Sequence, residues 1–160
     1  MMRTLPPPAK FLITILGSLI VGSLSGLLTA DAIGTWYVGI NKPSFNPPNW
    51  IFGPVWTVLY ILMGTAVGLV WTSSAEPANK RRALGAYLVQ LVLNFGWSLI
   101  FFGLRSPGWA FVEIIILWMS ILWCMRSFGS IRRTAMLLLV PYLLWVSFAA
   151  VLNGAIVALN

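Results

Sequence analysis

WYVGINKPSFNPPNWIFGPVW, residues 36–56, separates two long apolar segments and is unlike a plain spacer. It holds three Trp, four Pro and a single Lys, Lys42. Each Pro fixes φ and removes a backbone donor, so the connection is stiff. Indole rings are amphipathic and favour the boundary between membrane and water. The segment reads as a shaped, semi-rigid cover over something bound beneath it.

Outward from this cover, charge nearly vanishes. Of 160 residues, 59% are hydrophobic and 8% charged, and the mean hydropathy is +0.91. A soluble domain carries about a quarter charged residues. This chain cannot clothe a water-facing surface, so it is read as an integral membrane protein with the lipid bilayer as its first partner. Charged residues divide it into stretches of 20 residues (Lys10 to Asp31), 33 (Lys42 to Glu76), 22 (Arg82 to Arg105), 20 (Arg105 to Arg126, interrupted by Glu113) and 27 (after Arg133). Each supplies the roughly 20 residues that a spanning helix needs. The expectation is an all-α integral membrane bundle of five transmembrane helices in one domain, residues 1–160. The spans fall at about 11–30, 48–72, 83–103, 107–126 and 133–158, with loop 31–47 covering the pocket. The first span also has a signal-peptide reading, with basic residues before it and a small-x-small site at Ala30 and Ala32. Its apolar run exceeds the roughly 7–15 residues of a signal core, so it is taken as a span.

The net charge of +7 sets orientation. With five spans, Arg3, Lys10, Lys80, Arg81, Arg82, Arg126, Arg132 and Arg133 share one side, and only Lys42 and Arg105 lie on the other. The positive-inside rule puts the N-terminus in the cytoplasm, and the Trp/Pro cover and C-terminus outside. The basic residues do not share one face, so nucleic acid is not an expected partner. There is no His, which removes the commonest metal ligand and general base. The lone Cys124 forms no internal disulfide and reads as inert packing.

Small residues recur every fourth position at Ser18, Gly22 and Gly26 and at Gly64 and Gly68. Such spacing lets helix backbones approach, within one bundle or at a dimer seam. Mid-membrane polar groups usually face a bundle interior. Gln90, Asn94, Trp97 and Phe101 share one face of the third span, Trp56 and Tyr60 one of the second, and Trp109 and Glu113 one of the fourth. Trp145, Ala149, Leu152 and Asn153 share a face of the fifth. Helix contacts and interfacial aromatics account for Gln90, Trp71, Trp118 and Trp123. The set Trp56, Asn94, Trp97, Trp145 and Ala149 describes more: apolar walls with a few convergent polar groups, as a small-molecule pocket requires.

The motifs carry a resemblance. Trp36-Tyr37, Lys42-Pro43, Pro47-Pro48, Gly53-Pro54-Val55-Trp56 and Leu59-Tyr60 resemble the first loop and second helix of the TspO/MBR family, the tryptophan-rich sensory and translocator proteins. Gln90-Leu91, Leu93-Asn94, Trp97-Ser98 and Phe101-Phe102 are similar to its third helix. Pro141-Tyr142, Trp145, Phe148-Ala149 and Leu152-Asn153 are similar to its fifth. The resemblance implies a homodimer of five-helix bundles that binds porphyrins such as protoporphyrin IX and haem, and isoquinoline or benzodiazepine ligands. It implies a pocket built from Gly26, Trp56, Asn94, Trp97, Trp109, Trp145, Ala149 and Leu152, with Tyr60 beside Trp56 and with Trp36 and Tyr37 above. Glu113 stands where members often have Asp. The Tyr and Arg of a proposed cholesterol motif are missing after Leu152-Asn153, which speaks against high-affinity cholesterol recognition. Short ends and the charge pattern look bacterial.

Four functions follow as alternatives. The leading one is a tetrapyrrole-binding protein for porphyrin sensing, transport or disposal under stress. The second is an enzyme promoting light- and oxygen-dependent porphyrin degradation, with Trp56 and Trp145 as candidate catalytic residues; the porphyrin is then substrate, and no obligatory cofactor is expected. The third is a transporter, opposed by the small bundle and the lack of internal repeats. The fourth is a regulatory scaffold without turnover. No metal site is expected, because no residue is placed by a haem-attachment motif.

Overall fold

The structure, a computed structural model, describes residues 5–160; Arg3, counted above for orientation, lies outside them. Proline opens most of the long helices, at positions where the missing N–H has no helical partner. These helices are α1 (Pro7–Gly34), α4 (Pro77–Ser98), α5 (Pro107–Gly129) and α7 (Val140–Leu159). Between them lie the short α2 (Trp36–Gly39), α3 (Phe52–Trp71), entered through a 3-10 turn at Asn49–Ile51, and the short α6 (Arg133–Leu137). Among the described residues, five helical segments are long and apolar enough to cross a membrane.

Local chemistry adds detail to the sequence reading at three places. First, α1 runs through Asp31 to Gly34, so the cover begins later than residue 31. Nothing before Thr35 interrupts the ladder, and the Thr35 hydroxyl donates to the Asp31 carbonyl at 2.8 Å. Second, α4 continues as a π-helical turn, Leu99–Gly103, in which Leu104 N–H donates to Leu99 C=O at 2.8 Å. It stops at Arg105, whose φ of 51° is left-handed, a conformation that ends helices. Third, the fifth span is broken before Pro141, which has no N–H to continue α6.

The helices close into a ring. α1 packs on α3, α3 on α6 and the start of α7, α7 on α5, and α5 on α4. α4 and its π turn return to α1. The main core fills the half with the basic loops, around Met63, Ala86, Ile121, Phe128 and Tyr142. A smaller cluster of Tyr37, Phe101, Ala110, Leu152 and Ile156 sits under the cover. The outer face of α1 presents Leu12, Leu16, Ile20, Leu24 and Leu27, as lipid contact requires.

Most of the small-residue stripes are used within the bundle. A Cβ on Gly64 would lie 2.5 Å from the Ile15 Cα, and one on Gly68 would lie 2.6 Å from the Phe11 ring. A Cβ on Gly22 would run into the Tyr60 ring. Ser18 adds a short hydrogen bond to the Tyr87 hydroxyl. Gly64→Val is therefore expected to destabilise the protein by about 1–3 kcal/mol through overpacking, read as a lower thermal midpoint in detergent. Gly85→Ala, at a position with no atom within 4 Å, is expected to leave it unchanged.

Candidate functional site

Toward the cover, α1 and α3 part. Beyond Gly22 and Tyr60, a Cβ on Gly26 or Gly53 would meet no atom within 4 Å. The space between them belongs to a cavity of about 370 Å³, bounded by α1, α3, the end of α4 and α7. Ligand pockets span about 300–1,000 Å³. Among the described residues, no charged side chain lines this one.

Of the residues singled out in the sequence, Gly26, Tyr37, Trp56, Tyr60, Trp97, Trp145, Ala149 and Leu152 line the cavity. Asn94 is buried behind the wall and accepts the Tyr60 hydroxyl hydrogen bond at 2.5 Å, so it acts on the cavity by fixing Tyr60. Trp36 stands to one side, edge-on to Phe101 at 5.8 Å. Two residues lie elsewhere: Trp109 is 72% exposed, and Glu113 is turned toward Gly96 on α4, neither lining the cavity. α5 packs between α4 and α7 in the ring, and none of its residues lines the cavity. Spacing shows that Trp109 and Glu113 share a face, but not which way that face turns. Trp118 is a packing residue, its indole N–H donating to Ser147 Oγ at 2.9 Å.

Sequence reasoning missed Phe52, Phe148, Ser25 and Thr29, which also line the cavity. Phe52 meets Trp145 edge-on at 5.9 Å, and Phe148 tilts against it at 5.5 Å. Phe148 lies three residues after Trp145, and Ser25 and Thr29 are one turn apart beside Gly26. Phe52, the first residue of α3, lies one turn before Trp56, so helical spacing held that signal for all four.

The aromatic walls are held in place. Trp97 stacks on Phe101 at 5.1 Å, and its indole N–H donates to Asn153 Oδ1 at 3.2 Å. Asn153 in turn donates to the Pro107 carbonyl at 2.8 Å, which ties α4, α5 and α7 together. Trp56 rests against Tyr60 at 5.6 Å and meets Tyr142 edge-on at 6.2 Å. Rings fixed in this way can stack on a flat apolar ligand without first losing rotamer freedom.

The first half of the cover, residues 37–46, is clasped within itself and to the end of α7. Lys42 Nζ donates to the carbonyls of Tyr37, Val38 and Ile40 at 2.7, 3.2 and 2.9 Å, capping α2. The Tyr37 hydroxyl donates to Asn46 Oδ1 at 2.7 Å, and burial raises its pKa from 10.0. Asn41 N–H donates to Asn160 Oδ1 at 3.0 Å, and Asn160 Nδ2 donates back to Asn41 C=O at 3.0 Å. The cover and the end of α7 therefore lie on one side of the bundle, as the four crossings between them require.

These features define a helical membrane protein with an aromatic-walled cavity under a clasped loop. The TspO/MBR family model matches residues 14–159. The tryptophan-rich protein TspO of Chlorobaculum tepidum is 43% identical over 142 residues, covering 89% of this chain and 90% of the relative. That of Archaeoglobus fulgidus is 41% identical over 151 residues, covering 94% and 97%. The human translocator protein is 40% identical over 119 residues, covering 74% and 70%. The chain belongs to the TspO/MBR family.

Removing the Lys42 clasp should loosen the cover. Lys42→Met is expected to speed amide exchange across residues 37–46 about tenfold, the equivalent of ~1.4 kcal/mol, read by hydrogen–deuterium exchange. Tyr37 sets a pH dependence of its own. Because its folded pKa is raised, its contribution is complete below pH 10 and is lost as pH climbs through the raised value. Protection of the cover, taken relative to the intrinsic base-catalysed exchange rate, should fall in that alkaline window, and Tyr37→Phe should remove this pH dependence of protection.

Proposed function

We propose that this protein is a membrane-embedded tetrapyrrole-binding protein, acting in porphyrin sensing, transport or disposal under stress. The observation that carries the reading is the wall of Trp56, Trp97 and Trp145, set on three different helices around one uncharged cavity. Large rigid indoles suit a large flat apolar ligand through stacking. The macrocycles of protoporphyrin IX and haem, apart from their two propionates, fit that description, as do flat isoquinoline and benzodiazepine ligands.

The ring is recognised rather than the metal. Both tyrosine hydroxyls on the cavity wall are already engaged, Tyr60 with Asn94 and Tyr37 with Asn46. Cys124 is buried in the main core, away from the cavity. Metal-free protoporphyrin IX should therefore bind within about a factor of ten of haem, or roughly 1.4 kcal/mol.

The ligand enters from the bilayer. The loop is clasped over the top, while Ser23 and Gly26 on α1 and Gly53 and Thr57 on α3 are exposed and also border the cavity. A lateral opening between two lipid-facing helices suits a ligand that partitions into membrane. The protein sits with its N-terminus in the cytoplasm and the cover outside, as the eight-to-two cation split directs. It assembles as a homodimer, and the missing Tyr and Arg after Leu152-Asn153 speak against high-affinity cholesterol binding.

Degradation of the bound porphyrin in light and oxygen is the second reading. Trp56 and Trp145, the candidate redox residues, both border the cavity. Any turnover would draw on the photochemistry of the ligand, with the protein supplying position and the indoles.

Titration of protoporphyrin IX into the detergent-solubilised protein tests the binding reading. Trp145→Ala and Ala149→Phe are each expected to weaken binding by about 1–3 kcal/mol. Trp109→Phe, out in the lipid, should leave it unchanged; loss at Trp109 with none at Trp145 would contradict the reading. Gly26→Leu should slow association about tenfold by narrowing the opening. Illumination with and without oxygen then separates turnover from binding, since only turnover gives a new absorbing product that disappears in Trp56→Phe.

A further inference from the structure

At the basic end, away from the cavity, α4 and α5 frame a second depression of about 130 Å³. It is lined by Asn79, Arg82, Trp123, Arg126, Ser127 and Ser130. Its two guanidinium groups have little to pair with inside the protein. The chain holds three acids. Asp31 is in the last turn of α1, at the opposite end, and Glu113 is mid-span on α5, which leaves Glu76 alone among the basic loops.

The placement of the cations runs against the helix that carries them. Lys80, Arg81 and Arg82 fall in the first two turns of α4, where the positive end of the helix dipole favours acids. The first turn has no acid, and no side chain caps it. Lys80 is accounted for: it reaches back to the Ser73 carbonyl just after α3. Arg126 is in the last turn of α5, where a cation is favoured. Arg82 has no such account. Its charge calls for an anion beyond Glu76, the exposed N-cap residue of α4, whose side chain makes no capping bond.

Apolar surface adjoins the depression on the membrane side. On α4, a Cβ on Gly85 would meet no atom within 4 Å, so the missing side chain leaves a shallow furrow there, and Val89 and Val92 follow it toward mid-membrane, both exposed. On α5, Trp123, Met119 and Ile116 run in the same direction, each 41–53% exposed. Indoles favour the headgroup level, and basic pockets between transmembrane helices hold anionic headgroups.

We propose that this depression binds the phosphate of an anionic phospholipid, held by Arg82 and Arg126 with Asn79 beside them, while an acyl chain lies in the furrow at Gly85. Guanidinium groups match phosphate oxygens two at a time, which suits the pair of arginines. A free phosphate ion shares the headgroup chemistry but makes no use of the furrow, so the occupant is a lipid.

Native mass spectrometry of the full chain, released from micelles with equal phosphatidylglycerol and phosphatidylcholine, tests this. The wild type should retain phosphatidylglycerol at least about tenfold more than phosphatidylcholine, or ~1.4 kcal/mol. Arg82→Gln with Arg126→Gln should abolish that preference. Arg81→Gln with Arg133→Gln removes the same charge elsewhere and should preserve it. Gly85→Leu, which fills the furrow and keeps both arginines, should also lower retention. Equal retention of the two lipids by the wild type would overturn the proposal without recourse to any variant. So would an unchanged preference in the Arg82/Arg126 double variant. Displacement of phosphatidylglycerol by millimolar inorganic phosphate, with Gly85→Leu silent, would mark a free-anion site and overturn the lipid assignment.

Discussion

The architecture depends on how closely α1 approaches α3. Within a bilayer, apolar side chains gain nothing by leaving lipid for one another, so helix association rests on tight van der Waals contact and hydrogen bonds. Gly64 and Gly68 provide that contact by admitting the Ile15 backbone and the Phe11 ring, and Gly22 admits Tyr60. Contact is therefore fixed toward the basic end and as far as Gly22. Beyond it, Gly26 and Gly53 have no neighbour, the helices part, and the cavity begins. The same residue type closes the seam at one end and leaves it open at the other.

The second constraint is polar. Buried amides and hydroxyls in lipid need partners, and the groups that find them also hold the cavity wall. The Tyr60 hydroxyl is fixed by Asn94, the Trp97 indole by Asn153, and the cover by Lys42 and the Asn41–Asn160 pair. None of these bonds needs a ligand in order to form. The wall is thus set in advance of binding, and the uncharged interior leaves shape and stacking to select what enters. The basic end has the opposite character: Lys10, Lys80, Arg81, Arg82, Arg126, Arg132 and Arg133 stand against one acid, Glu76, at the level where headgroups lie.

Much of this could be read from the residues because the bilayer makes sequence unusually literal. Charged residues cannot sit in hydrocarbon without cause, so the intervals between them marked the five spans. Trp56, Trp97, Trp145 and Ala149 showed themselves by helical spacing, and all four line the cavity. Other features left no local trace. Trp109 and Glu113 share a face, but its direction is set by how α5 packs on α4 and α7. The π-helical turn at Leu99–Gly103 inserts no breaker residue that spacing would detect. The Asn41–Asn160 clasp joins positions 119 residues apart, and only the fold brings them together.

An experimental structure of the protein in a lipid nanodisc with protoporphyrin IX bound is the most direct test of this account. The macrocycle should lie inside the bundle, against Trp56 and Trp145 and beneath Tyr37, with the Gly22–Tyr60 contact unbroken. A macrocycle outside the bundle, against the lipid-facing side of α5 near Trp109, would contradict it.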